Sequence, residues 1–169
     1  MIGAAALRDK GLWADKRLGQ HFLLDPSILR RIAAAAGALE DAVVVEVGPG
    51  PGGLTQALLA AGAARVVAVE RDPRFVAHLG ELAAAHPGRL ELVEADALTF
   101  GLDRAAGEGL VRIVANLPYN VATPLLFGWL DQLDRVERMV LMFQKEVALR
   151  LAARSEEHTS ELQSRQCIS

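Results

Sequence analysis

Asn116-Leu117-Pro118-Tyr119 places a side-chain amide, a backbone carbonyl next to a proline, and an aromatic ring within four residues. That set suits chemistry on the exocyclic amine of adenine. The lone pair of such an amine is delocalised into the ring, so two acceptors are needed for its hydrogens: the Asn116 oxygen and a carbonyl within Leu117-Pro118. Together they favour a pyramidal nitrogen with its lone pair aimed at an incoming carbon. Pro118 stiffens the loop and keeps Leu117 extended, and Tyr119 can stack on the base, a contact worth roughly 1–3 kcal/mol. A methyl carried on a sulfonium is already activated, so positioning is the main task and no strong base is required. In an arbitrary setting the same tetrapeptide is a proline turn over a buried tyrosine; what precedes it in the chain decides between the two.

Upstream lies Glu46-Val47-Gly48-Pro49-Gly50-Pro51-Gly52-Gly53-Leu54-Thr55, a glycine-rich turn between an apolar, β-branched run and a helical pattern. Glycines let the backbone turn tightly and approach a ligand, and the following helix start offers unpaired N–H groups. Gly48, Gly50 and Gly53 fit a dinucleotide fingerprint, while Gly48, Gly50 and Gly52 fit a methyltransferase loop, so the loop alone leaves both ligands open. Pro49 and Pro51 remove donors that a pyrophosphate would use, which favours S-adenosylmethionine. Glu70, about 20 residues on, is placed to accept both hydroxyls of a ribose. Asp96, after the third apolar run, is placed to accept from an adenine amino group.

These residues need a scaffold that brings strand ends together. Short apolar runs at 43–47, 65–70, 90–94, 112–115 and 138–143 read as buried strands. Helical patterns at 54–61, 73–85 and 123–132 lie between them, and another begins at 145–153. An earlier helix is signalled by Asp25 as N-cap, Pro26 at the first helical position, apolar Ile28, Leu29, Ile32, Ala33 and Ala36, and the stop Gly37. The alternation predicts an α/β fold, a mostly parallel sheet with helices on both faces. Ligands of such sheets bind beyond the carboxyl ends of the strands, where Glu46, Gly48, Glu70, Asp96 and Asn116 fall. Three segments are expected: an N-terminal arm (1–24), the cofactor-binding domain (25–154), and a Ser-, Glu- and Gln-rich tail (155–169). The tail resembles appended cloning sequence and carries no chemistry.

Composition excludes several classes. The 169 residues hold one cysteine, Cys167, so no disulfide framework or cysteine metal site forms within one chain. The four histidines lack metal-ligand spacing, and no metal is expected. No apolar run has transmembrane length and no signal peptide opens the chain, which predicts a cytoplasmic protein with no membrane partner. The net charge is −3, and Glu156, Glu157 and Glu161 against Arg165 leave residues 1–154 near −1. Contact with nucleic acid must therefore be local. Arg8, Lys10, Lys16 and Arg17 form one such patch; Arg30, Arg31, Arg135 and Arg138 read as exposed charges, and Trp13 and Trp129 as packing residues.

The chain resembles the small-subunit ribosomal RNA adenine dimethyltransferases, which are related to the erythromycin-resistance methylases. The resemblance rests on Leu18-Gly19-Gln20-His21-Phe22-Leu23 with Asp25, the glycine loop, Asn-Leu-Pro-Tyr, and Gln144-Lys145-Glu146-Val147-Ala148 with Arg150, in the right order over residues 16–154. It implies a Rossmann-like class I methyltransferase fold and S-adenosylmethionine as methyl donor. Cofactor contacts are implied at His21 (where many members have Asn), Leu23, Gly48, Glu70, Asp96 and Asn116, with Gly50 in the same loop. Asn116, Leu117, Pro118 and Tyr119 would form the catalytic loop. The implied substrate is small-subunit rRNA, dimethylated at two adjacent adenines during ribosome assembly by a protein that is monomeric when complete. The family continues past Arg154 with further strands and a helical RNA-binding domain, so this chain is expected to be truncated, poorly stable and weakly active or inactive. The rival readings are a non-catalytic RNA- or ribosome-binding module, a nucleotide-dependent oxidoreductase using the same loop, and a DNA adenine methyltransferase, which the N-terminal signature disfavours.

Overall fold

Alternation of apolar strands with helices produces a five-stranded, wholly parallel sheet. The computed structural model describes residues 11–12, 22–117 and 119–143. The strands are β1 (Val43–Val47), β2 (Arg65–Glu70), β3 (Leu90–Glu94), β4 (Val111–Asn116) and β5 (Val136–Met142), in the order β3-β2-β1-β4-β5. The helices are α1 (Pro26–Ala35), α2 (Gly53–Ala60), α3 (Pro73–Ala85), α4 (Asp103–Ala106) and α5 (Tyr119–Leu130), with a short 3-10 turn at Leu133–Arg135. Strand order reverses between β1 and β4, so a crevice opens where their connections depart to opposite faces.

Each face of the sheet has its own core. Val44, Val66, Ala68 and Val114 pack under Leu29, Ile32, Leu54 and Leu58 of α1 and α2, with Leu82 and Ala83 of α3 at the margin. Val45, Val67, Val69, Ile113 and Ala115 pack under Leu102, which precedes α4, Ala105 of α4, and Ala122, Leu125 and Trp129 of α5. Because both faces are covered, the central strands are apolar along most of their length rather than alternating. Trp129 is a packing residue, as its sequence context suggested.

Helix starts follow the sequence signals closely. The Asp25 carboxylate accepts from the Ser27 amide (2.7 Å) and the Ile28 amide (3.3 Å), with Pro26 at the first position. Asp72 caps α3 in the same way through the Arg74 amide (3.0 Å), ahead of Pro73. Two elements depart from expectation. Helix α5 starts at Tyr119 rather than 123, with Pro124 inside it; the proline lies near enough to the helix start to remove a single bond of the ladder. Helix α4 has no counterpart in the sequence pattern, because four residues are too few for a periodic signal. The expected helix at 145–153 and the tail at 155–169 lie outside the described residues, as do Trp13 and the basic cluster Arg8, Lys10, Lys16 and Arg17. Of the segment read as an arm, residues 11–12 and 22–24 are described, and Leu12 and Phe22 pack with Phe75 of α3.

The C-terminal end of α1 is held by two arginines on the last two strands, β4 and β5. Arg112 of β4 donates to the carbonyls of Ala36 (3.0 Å) and Ala38, and pairs through both arms of its guanidinium with Glu137 (2.8 and 2.9 Å). Arg138 donates to the Ala35 carbonyl (3.1 Å). These guanidinium groups satisfy carbonyls that a helix end leaves unpaired. Helix α1 is thereby fixed as a wall above the strand ends, with Leu29 buried at 1% exposure against Gly53 of α2. Replacement Leu29→Ala should lower the free energy of unfolding by roughly 2–5 kcal/mol through the void it leaves, measured by denaturant titration; a loss under about 1 kcal/mol would mean that α1 is not part of the cooperative core.

Candidate active site

The turn after β1 is shaped by its glycines. Gly48, Gly50 and Gly52 have φ of 67°, 52° and 81°, a region that residues bearing Cβ rarely enter. At Gly52 a Cβ would also lie 2.6 Å from the buried Leu79 side chain, and at Gly50 it would lie 3.2 Å from the Phe22 ring. The Gly48 amide donates to the Val69 carbonyl (3.0 Å), extending the β1–β2 pairing by one rung before the chain turns. Gly52 closes the turn on Pro49 (3.0 Å) and serves as the N-cap of α2 without a side-chain bond.

Glu70 ends β2 and ties the turn to its neighbour. Its carboxylate accepts from the amides of Gly50 (3.1 Å), Arg71 (2.8 Å) and Asp72 (2.9 Å). A carboxylate has about four acceptor positions, so one remains for a ligand. Asp96 follows β3, where one oxygen closes an Asx turn on the Leu98 amide (3.0 Å) and the other faces Arg71 at 3.4 Å across the rim. Asn116 is the last residue of β4, and the amide of Leu117 donates to the Met142 carbonyl (3.3 Å), anchoring the next loop to β5.

These groups converge on one cavity of about 490 Å³ beyond the carboxyl ends of β1–β4. Leu23, Gly48, Gly50, Glu70, Asp96, Asn116 and Leu117 all line it. His21 and Pro118 lie outside the described residues, and the Tyr119 side chain is likewise not described. Phe22, Leu98, Val121 and Phe143 add apolar wall. The combination of carboxylate acceptors and apolar surface suits a nucleoside, and Pro49 and Pro51 contribute no amide donors for a phosphate. No group of side chains among the described residues has the makings of a metal site, and no helix among them is long and apolar enough to cross a membrane.

One cavity residue escaped the site assignment made from sequence. Glu46 of β1 is 1% exposed, lines the cavity, and neither of its carboxylate oxygens has a hydrogen-bond partner. Burial pushes its carboxyl up to about 8, and the nearby Glu70 charge adds to the rise. The Thr55 hydroxyl and amide approach it and act in the opposite direction without closing a bond of good geometry. The signal was present in the sequence: one acid within Val-Val-Val-Glu-Val is out of place in a strand buried on both faces.

The sheet order, the glycine turn and the acid closing β2 define a class I S-adenosylmethionine-dependent methyltransferase fold. The family described as ribosomal RNA adenine dimethylase matches residues 12–164. A relative from Rhodospirillum rubrum named ribosomal RNA small subunit methyltransferase A is 58% identical over 144 residues, which cover 85% of this chain and 50% of the relative. Among solved structures, a dimethyladenosine transferase from Plasmodium falciparum is 32% identical with a TM-score of 0.68, covering 78% of this chain and 46% of that one. The 23S rRNA methyltransferase ErmE is 34% identical with a TM-score of 0.64, covering 76% and 50%. The chain belongs to the ribosomal RNA adenine dimethylase family, and spans about half the length of the curated relatives it matches.

An acid whose carboxyl is raised by burial makes stability depend on pH with a defined sign. Between its ordinary value of 4.5 and about 8, the folded chain holds a proton on Glu46 that the unfolded chain has lost. Stability therefore falls as pH rises through that window and levels off above it. Glu46→Gln should flatten this dependence, measured as melting temperature against pH; an unchanged slope in the variant would exclude Glu46 as its source.

Proposed function

We propose that the chain carries the donor-binding and base-positioning portion of an S-adenosylmethionine-dependent methyltransferase acting on adenine N6 in small-subunit ribosomal RNA. On this reading two adjacent adenines are each dimethylated during ribosome assembly, by a cytoplasmic protein that is monomeric when whole. The observation that carries the proposal is the meeting of Glu70, Asp96 and Asn116 with the glycine turn around one nucleoside-sized cavity.

The residues fit the donor group by group. Glu70 has an acceptor position left for ribose hydroxyls, and Asp96 offers an acceptor to the adenine amino group at the rim. Gly48 and Gly50, with Leu23 above, leave room for close backbone approach at the amino-acid end, and His21 is assigned to the same contact from its motif. S-adenosylmethionine, when bound, supplies a methyl group on a sulfonium, a carbon already activated for displacement. The chain's own work is orientation: the Asn116 oxygen and a carbonyl of Leu117-Pro118 take the hydrogens of the target amine, and Tyr119 stacks on its base. The amine proton displaced on transfer leaves to solvent, since no strong base is required.

Calorimetric titration of the chain with S-adenosylmethionine, with NADH as control, tests the donor assignment. Micromolar binding of S-adenosylmethionine alone is expected; binding of NADH without S-adenosylmethionine would overturn the proposal in favour of a nucleotide-dependent oxidoreductase. Asp96→Ala should weaken donor binding by roughly 5–20-fold, the cost of one hydrogen bond. In a full-length version, Asn116→Ala should lower incorporation of labelled methyl into small-subunit rRNA by about 100-fold relative to the unsubstituted protein, as expected when a reacting group is misplaced.

A further inference from the structure

Glu46 is buried at the centre of the sheet without a partner, and the function proposed above does not use it. In register it lies between Ala68 of β2 and Val114 of β4, both fully buried and apolar. A charged carboxylate in such a place is costly unless it is paired. Its oxygens lack hydrogen bonds among the described residues, and its one open side is the cavity.

The charged groups on the described elements around it leave it unpaired. From β2 the facing group is Glu70, of like charge. Helix α2 contributes Thr55 and no charged residue. The cavity-lining residues of α5 named above, Val121 and Leu125, are uncharged. Arg30 and Arg31 of α1 are exposed, and Arg112 of β4 is held by Glu137 and the carbonyls after α1. At the rim, Arg71 faces Asp96 and Asp72 is paired with Arg74. Among the described residues Glu46 therefore has no counter-charge, and the cavity is a route by which one can reach it.

We propose that Glu46 is a proton-linked binding residue: it is neutral in the empty site and ionises when a cationic centre of the ligand is seated beside it, so that binding releases one proton to solvent. Burial supports this by holding the empty-site carboxyl up to about 8, and a nearby cation reverses that effect by favouring the charged form. The balance is simple. The O–H bond of Glu46 breaks, its proton passes to solvent, and the carboxylate left behind neutralises the ligand charge. The inference rests on the donor reading above, whose ligand carries two cationic centres, a sulfonium and an α-ammonium.

The test is calorimetry of the whole chain with S-adenosylmethionine at pH 7 in three buffers of different ionisation enthalpy, repeated from pH 6 to 7.5. The heat should vary with buffer by an amount equivalent to about one proton released per ligand, and affinity should rise nearly tenfold per pH unit, as linkage requires. In Glu46→Gln both dependences should vanish. His21, His78 and His86 remain in the variant, so any contribution from them survives there and is separated from that of Glu46. S-adenosylhomocysteine, which lacks the sulfonium charge, distinguishes the two sources: proton release retained with it assigns the α-ammonium, and release lost assigns the sulfonium. Tight binding by the parent chain with buffer-independent heat overturns the proposal, and does so even if Glu46→Gln fails to fold. Absence of S-adenosylmethionine binding by a chain with a cooperative melt overturns the donor reading itself, and the proton linkage with it.

Discussion

The Glu70 carboxylate, shared among three backbone amides, is the interaction on which the cavity depends. One amide belongs to the glycine turn after β1 and two to the chain leaving β2. The bond to Gly50 holds two successive connections at a fixed separation, and charge-assisted bonds of this kind are stronger than neutral ones. It is possible only because Gly50 adopts a positive φ that aims its N–H at the acid. The two prolines make the turn stiff and leave few amides to compete for the same acceptor. The acid and the glycines are therefore one device, in which neither part would hold its geometry without the other.

Around this device the sheet supplies position and little else. Four strands end beside one another because their registers are aligned, and the reversal of order between β1 and β4 keeps the helices from covering their ends. Asn116 owes its place to β4, and the loop beyond it is pinned by Leu117 to the last strand. The Arg71–Asp96 pair spans the rim without closing it, with Arg71 70% exposed. Such an exposed pair contributes little to stability, so an incoming base can compete for Asp96 at small cost.

Much of this was legible in the residues themselves. All five strands and both proline-led helix starts announced themselves, because buried parallel strands are continuously apolar and an Asp-Pro pair is a local signal that tertiary contacts seldom override. The seven described members of the anticipated site meet in one cavity, six of them because they end or follow a strand and strand ends share one side of the sheet, and Leu23 from the segment before α1. The start of α5 was missed because Thr123-Pro124 imitates a helix start while the true one lies in the preceding motif. Glu46 was noticed only as a member of the strand-end set. Its significance lies in what surrounds it, and the absence of a counter-charge in three dimensions cannot be read from a linear string.

The two arginines that grip the end of α1 have a consequence for the order of events in folding. Arg112 reaches back 76 residues to the Ala36 carbonyl and Arg138 reaches back 103 to that of Ala35. Contacts so distant along the chain form late, because the intervening loop must be closed first. During synthesis helix α1 therefore leaves the ribosome long before the strands that anchor it. The wall it forms over the ligand site is completed only when β4 and β5 have taken their places, so a nascent chain gains its binding site at the end of assembly rather than at the beginning.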